Sequence, residues 1–223
     1  TVSLLFENIA INYFERSNFK LAERFFFGSF YLYEEIENHD KTAFILNFLG
    51  SALKSQGKYE YSLQSYFKSL NIYEKSEKPV FVSNVYNNIG TLYNKMGKLD
   101  EAMKYFRKSL KIKIEQDHKK GVAAAYANMA IIFEDKGEKM QAFEYHKKAL
   151  EIYKQMNDSN GIAVTYNNLA SVYLDINEYE KALDYSFKSY EINKRLNARA
   201  GANLNVLNVA SVYLNQKKYV KAK

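Results

Sequence analysis

The apolar residues of this chain recur at helical spacing, and the pattern is clearest in the segment 83–96. Val85 lies four residues before Ile89, and Leu92 and Tyr93 lie three and four residues after it, as on one face of a helix and unlike the alternation of a strand. Gly97 is typical of a helix C-terminus. A second amphipathic run covers 99–114. The pattern predicts a helix A, a tight turn, a helix B, and a turn over 117–121 into the next unit.

The same unit returns every 40 residues with no insertion. A small residue marks each copy, at Ala10, Gly50, Gly90, Ala130, Ala170 and Ala210. Three positions later come Tyr13, Leu53, Tyr93, Phe133, Tyr173 and Tyr213. Twelve positions after the small residue come Ala22, Ser62, Ala102, Ala142, Ala182 and Ala222. Self-similarity at a fixed period of this length indicates a repeat protein.

These positions resemble the tetratricopeptide repeat over the whole chain. The resemblance implies an all-α fold, a right-handed α-solenoid of helical hairpins with about five and a half repeats. We expect residues 1–223 to form a single solenoid, with repeats at about 3–42, 43–82, 83–122, 123–162, 163–202 and a truncated 203–223. The period exceeds the usual 34 residues. Its 40-residue variety resembles the repeats of kinesin light chains and of bacterial sensor kinases, regulators and peptide-pheromone receptors.

Both ends of the chain bear on its completeness. The segment 217–223 begins a sixth helix B and stops, although a solenoid needs a polar capping element at its end. Six aromatic residues crowd the first helix B: Phe25, Phe26, Phe27, Phe30, Tyr31 and Tyr33. This crowding fits either a bulky cap or contact with a preceding segment. We therefore expect a fragment of a longer protein.

The composition limits the classes of binding partner and the cellular locations that the sequence predicts. The net charge of +7 comes from basic and acidic residues that are interleaved, which disfavours nucleic acid and membrane surfaces as partners. Cysteine is absent, and no apolar run approaches the roughly 20 residues needed to span a bilayer. The sequence predicts a cytoplasmic location, or a periplasmic one if a signal or transmembrane segment lies outside the fragment.

Asparagines recur just before the small residue and suggest a binding surface. They occupy two neighbouring positions of the repeat, at Asn8, Asn47, Asn87, Asn88, Asn128, Asn167, Asn168 and Asn208. The resemblance implies that these positions face the concave groove, where amides both donate to and accept from an extended peptide. Asparagine is a poor helix former, so its recurrence needs a reason. The alternative is that these amides only join neighbouring A helices.

Other groove positions carry apolar and charged residues. Four apolar residues near the N-terminus could anchor a ligand, or could contact a segment preceding the fragment: Leu4, Ile11, Phe44 and Phe48. The charged residues are Lys95, Asp135 and Asp175, for which solvated charge is the alternative to ligand contact. Because Lys95 stands alone, the sequence gives no sign of a two-residue basic clamp for a C-terminal carboxylate.

Catalysis is not expected. The three histidines are isolated, and the sequence has no zinc spacing, phosphate loop or nucleophile elbow. We predict no cofactor and no metal. The function predicted is a non-catalytic scaffold that binds a peptide or protein segment, in the sensor or docking region of a bacterial signalling protein. Two alternatives stay open: dimerisation through the terminal repeats, and nucleic-acid or membrane contact through a lysine row on the B helices, at Lys68, Lys108, Lys148 and Lys188.

Overall fold

A computed structural model describes residues 1–215 and contains eleven α-helices and no strand in that range. The A helices are α1 (Val2–Glu15), α3 (His39–Ser55), α5 (Pro79–Lys95), α7 (Lys119–Asp135), α9 (Ser159–Asp175) and α11 (Arg199–Asn215). The B helices are α2 (Phe19–Glu35), α4 (Tyr59–Lys75), α6 (Leu99–Glu115), α8 (Lys139–Gln155) and α10 (Tyr179–Arg195). The predicted all-α architecture of helical hairpins is confirmed. The segment 217–223, predicted to begin a sixth helix B, lies outside the described residues.

Residues in the left-handed backbone conformation end the helices, and they occur at the same position in each repeat. Every A helix from α1 to α9 is followed by a residue with positive φ: Ser17, Gly57, Gly97, Gly137 and Asn177. At Gly97 the amide donates to the Asn94 carbonyl at 2.9 Å, and the Lys98 amide donates to the Tyr93 carbonyl at 2.9 Å. These two bonds form a Schellman motif, which satisfies carbonyls that the helix leaves unpaired. The predicted helix end at Gly97 is confirmed.

The predicted turn over 117–121 is wrong. Helix α7 begins at Lys119, so Gly121 lies inside the helix and is buried. The matching Gly161 lies inside α9, where an added Cβ would collide with the ring of Tyr153. Gly161 is therefore explained by the Tyr153 ring that packs against its backbone, not by the end of a helix. The A helix of the third repeat likewise starts four residues earlier than predicted, at Pro79, a residue suited to the first helical turn.

The chain forms two compact units, the first covering Thr1–Gln116 and the second beginning at Asp117. In each unit, successive helices pack side by side, and a buried serine ties four of the five B helices to their A helices; α8 has Ala149 at that position. Ser69 Oγ donates to the Ala43 carbonyl at 2.7 Å, Ser109 Oγ to Ser83 at 2.7 Å, and Ser189 Oγ to Ala163 at 2.7 Å. The small residues at these repeat positions therefore allow helix A and helix B to approach closely and to be joined by a hydrogen bond.

The two units fill the centre of the hairpin differently. In the first unit, Tyr66 and Phe106 are buried against glycines: a Cβ on Gly50 would lie 2.7 Å from the Tyr66 ring, and one on Gly90 2.8 Å from the Phe106 ring. In the second unit, the repeat positions equivalent to Tyr66 and Phe106 hold His146 and Ser186, both of which are fully buried. Among the described residues, His146 Nδ1 and Ser186 Oγ have no hydrogen-bond partner. His146 Nε2 lies 2.6 Å from Glu134 Oε1.

No helix within residues 1–215 is both long enough and apolar enough to cross a membrane.

Candidate peptide-binding face of the A helices

All the predicted groove residues lie on A helices, and we call the side that carries them the A-helix face. Asn8 is exposed, whereas the other seven asparagines are half-buried. Lys95, Asp135 and Asp175 are the last residues of α5, α7 and α9. The helical spacing of these positions places them on one side of each A helix.

Several asparagines bond across neighbouring repeats. In the first unit, Asn88 Nδ2 donates to Asn47 Oδ1 at 2.9 Å. In the second unit, Asn208 Nδ2 donates to Asn167 Oδ1 at 2.9 Å. Asn87 and Asn128 are also engaged. Part of the amide row therefore joins adjacent A helices, as one of the two interpretations expected. Each bonded amide still has further donor or acceptor capacity.

The hydrogen bonds of the second unit extend beyond the predicted row. Asn205 Nδ2 also donates to Asn167 Oδ1 at 2.9 Å, and the buried Asn193 Nδ2 donates to Asn205 Oδ1 at 2.9 Å. Neither Asn193 nor Asn205 was predicted from the sequence. Asn193 stands where the fourth repeat has Tyr153, and a polar residue at a position that holds tyrosine in three of the five repeats was the available signal.

Asn168 differs from the bonded asparagines. The residue of the preceding repeat that should accept from it is Ala127, which has no side-chain acceptor. Within residues 1–215 the Asn168 side chain forms no hydrogen bond, and it is half-buried. A half-buried amide with both its donors and its acceptor unused is suited to pair with the backbone of a ligand.

In the first repeat, the row of Asn47 and Asn167 holds Glu7, which sequence reasoning did not single out. Glu7 is only 4% exposed. Its carboxylate accepts from Tyr33 Oη at 2.6 Å and from Lys41 Nζ at 2.7 Å. Burial, together with the hydrogen bond and charge of Glu7, raises the pKa of Tyr33 to about 12. Glu7 thus joins α1, α2 and α3 where the amide row is interrupted.

The predicted apolar anchors belong partly to the core of the first unit. The rings of Phe44 and Phe48 lie 4.8 Å apart, and that of Phe48 lies 5.8 Å from both Phe14 and Phe26. Ile11 packs against the same cluster, while Leu4 is 44% exposed. Phe44 and Phe48 remain half-buried, so part of each ring can still contact a ligand.

Charge on the A-helix face differs from the prediction in one respect, because Lys95 does not stand alone. Burial and the charge of Lys95 lower the pKa of Lys54, which lies at the end of α3. The charge of Lys95 therefore acts on Lys54 in the first unit. In the second unit, Asp175 pairs with Lys139, and Asp135 is exposed. Within residues 1–215, no group of three His, Asp or Glu side chains could hold a metal ion.

The sequence model of the tetratricopeptide repeat matches residues 1–75, 81–155 and 122–195. This chain belongs to the tetratricopeptide repeat family. No curated protein matches its sequence.

Three solved structures illustrate how widely the same fold occurs. BtubC (BKLC) from P. vanneervenii shares 21% identity over 97% of this chain and 86% of its own, with a TM-score of 0.75. A signal transduction ATPase with numerous domains and a tetratricopeptide repeat sensor, from Pyrococcus horikoshii, shares 20% identity with a TM-score of 0.82; the match covers 96% of this chain and 33% of the ATPase. A Rap protein complexed with competence and sporulation factor shares 16% identity over 96% of this chain and 70% of its own, with a TM-score of 0.70.

Proposed function

We propose that this tetratricopeptide repeat protein is a non-catalytic scaffold that binds an extended peptide segment along its A-helix face. The observation that carries the proposal is Asn168, a half-buried amide with no side-chain partner among residues 1–215. The unused hydrogen-bonding groups of Asn47 and Asn208 add to it. The likeness to a Rap protein complexed with competence and sporulation factor supports a binding role.

Amide contacts alone would not hold a peptide. Each hydrogen bond contributes about 0.5–1.5 kcal/mol net, whereas association costs roughly 4–15 kcal/mol. Apolar anchors must supply the rest, at about 1.5–3 kcal/mol for each fully buried side chain. The half-buried rings of Phe44 and Phe48 are the anchor that we propose in the first unit. Leu4 and Ile11 extend this apolar surface along α1.

Charge sets a preference for each unit. Lys54 and Lys95 favour an acidic segment of the ligand in the first unit, while Asp135 favours a basic one in the second. Asp175 contributes less to this preference because it already pairs with Lys139. We infer that the parent protein is a bacterial signalling protein acting in the cytoplasm, with this region as its sensor or docking module.

The test distinguishes asparagines that contact the ligand from asparagines that only join neighbouring repeats. A library of fluorescent extended peptides is screened against the wild type, and the hits are titrated against Asn168→Ala, Asn88→Ala and Asn71→Ala. Asn168→Ala should weaken binding by about threefold to tenfold, the loss of one or two net hydrogen bonds, without lowering the unfolding midpoint. Asn88→Ala should lower that midpoint because it removes the bond to Asn47. Asn71, exposed on α4, is the matched control and should change neither.

Equal affinity of the wild type and Asn168→Ala for every hit would overturn the groove proposal. Dimerisation is the second candidate, because Val2 and Leu5 of α1 are 61% and 56% exposed. Sedimentation of the wild type and of a Val2→Ser/Leu5→Ser variant distinguishes it, since only a dimer formed through α1 would dissociate in the variant.

A further inference from the structure

Three aromatic rings meet at the same place in most of the repeats. In the third repeat they are Tyr86 and Tyr93 of α5 and Tyr105 of α6, with the ring centroid of Tyr105 5.9 and 5.5 Å from the other two. The equivalent sets are Phe6, Tyr13 and Phe25; Tyr126, Phe133 and Tyr145; Tyr166, Tyr173 and Tyr185. An aromatic triad between helix A and helix B is therefore the rule within residues 1–215.

The second repeat lacks all three rings. Its equivalent positions hold Leu46, Leu53 and Ser65. A cavity of about 340 Å³ opens there between α2, α3 and α4, and we call it the Leu46 pocket. Phe27 and Phe30 of α2 line it from the first repeat. An apolar cavity of about 150 Å³ already accepts benzene, so this one has room for an aromatic side chain.

Lys68, on the lining of the Leu46 pocket, also lacks the ring contacts of its counterparts. Lys108 Nζ lies 5.1 Å from the Tyr86 centroid and 5.4 Å from that of Tyr105. Lys148 Nζ lies 4.7 Å from Tyr145, and Lys188 Nζ 5.2 Å from Tyr185. Among the described residues, Lys68 has neither a ring nor a carboxylate partner. The second repeat thus retains the cation of a cation–π pair without its aromatic partner.

We propose that the Leu46 pocket binds a tyrosine or phenylalanine side chain from a partner protein segment. The ring rests on Leu46 and Leu53 and lies under the ammonium group of Lys68. It supplies from outside the contacts that the other repeats make internally.

Charge at the Leu46 pocket defines the neighbours of that aromatic residue. Lys58 and Lys68 are its two cations, and Glu23 is its one carboxylate. Glu23 is already engaged, since its oxygens accept from Lys58 Nζ at 2.7 and 2.8 Å and from Gln56 Nε2 at 2.7 Å. The unpaired charge is therefore that of Lys68. An aromatic residue flanked by acidic residues fits this charge, and one flanked by lysines does not.

The probe is the capped peptide acetyl-Glu-Tyr-Glu-amide, titrated into the full chain while the methyl resonances of Leu46 and Leu53 are followed by NMR. A bound ring should shift these resonances upfield, and the shift should saturate. Acetyl-Glu-Leu-Glu-amide should cause no such shift. Acetyl-Lys-Tyr-Lys-amide should bind more weakly, and the difference should shrink as salt is added.

Filling the pocket provides the decisive variants. Ser65→Tyr restores the third ring and should abolish the shift while the circular dichroism spectrum is unchanged. Leu53→Tyr, which restores the second ring, gives the same test if Ser65→Tyr does not fold. Lys68→Met keeps the aliphatic stem and should weaken binding about twofold to fivefold, the loss expected for one exposed cation–π contact.

Three outcomes would overturn the proposal. One is an undiminished shift in a folded variant with a filled pocket. Another is an equal shift with acetyl-Glu-Leu-Glu-amide, which would mean that the pocket does not select an aromatic side chain. The third is a shift that grows with protein concentration in the absence of peptide, since the occupant would then be a second copy of the chain.

Discussion

The interiors of the two units obey the same repeat and fill it with opposite chemistry. In the second and third repeats, which belong to the first unit, Tyr66 sits directly on Gly50 and Phe106 on Gly90. In the second unit the ring row holds His146 and Ser186, and the facing row holds alanines. The comparison teaches that glycine occurs opposite Tyr66 and Phe106, whereas alanine occurs opposite His146 and Ser186. The first repeat departs from this match, since the buried Phe26 occupies the position of Tyr66 and Ala10 that of Gly50.

The largest effect should come from breaking this match in the first unit. Gly90→Ala places a Cβ 2.8 Å from the Phe106 ring and should lower the free energy of unfolding by about 1–3 kcal/mol, the usual cost of overpacking. The reverse change in the second unit, Ala170→Gly, should cost only about 0.5–1 kcal/mol, through helix propensity. Urea unfolding with amide hydrogen exchange, which reports each helix, measures both. An equal or larger cost for Ala170→Gly would contradict the size match.

The next effect concerns the titratable ring of the first unit. Burial raises the pKa of Tyr66 to about 12, although hydrogen bonds with Ser51 and Ser62 oppose the shift. In the unfolded chain, tyrosine loses its proton near pH 10, so the unfolded state gains stability between about pH 10 and 12. Stability present below pH 10 should therefore fall by about 1.4 kcal/mol for this residue by about pH 11.

Tyr66→Phe is the control for that pH dependence. It removes the hydroxyl bonded to Ser51 at 2.9 Å, so it should be the less stable protein near neutral pH. The difference from the wild type should shrink as the pH rises above 10, because phenylalanine does not titrate. A difference that stays constant from neutral pH to about pH 11 would show that Tyr66 contributes nothing to alkaline unfolding. Urea unfolding at each pH provides the measurement.

The smallest effect should be a gain of stability in the second unit. Ser186→Ala removes a buried hydroxyl that has no hydrogen-bond partner within residues 1–215 and should raise the free energy of unfolding by about 1 kcal/mol. Ser189→Ala is the matched control, since its hydroxyl donates to Ala163 and its loss should be destabilising. If both substitutions destabilise the protein equally, the Ser186 hydroxyl is not an unsatisfied buried group, and the contrast drawn between the two units is wrong.

Periodicity predicted most of the fold because most positions of the repeat perform the same task in each described repeat. The small row, the turn at Gly97 and the helical type of every segment followed from it. The predicted turn at Gly121 was wrong because a glycine inside a helix and one at its end look alike in sequence. Only the structure shows the tyrosine ring that the matching Gly161 accommodates.

The candidate site was less predictable because it depends on the rows that differ between repeats. Asparagines at two neighbouring positions were evident in the sequence. Which of them bond to each other depends on the packing of adjacent helices, and Ala127 leaves Asn168 unbonded only through that packing. The proximity of Lys54 to Lys95 likewise depends on side chains of different repeats. The missing rings at Leu46, Leu53 and Ser65 could have been noticed by aligning the repeats.

The sequential packing of helices within each unit has a consequence for synthesis on the ribosome. Among helices α1 to α6, each packs mainly on its neighbours along the chain, and helices α7 to α11 do the same among themselves. A hairpin can therefore find its native partner as soon as about 40 further residues have emerged, without waiting for a distant segment. Such a chain would acquire its structure progressively from the N-terminus, at the pace of translation.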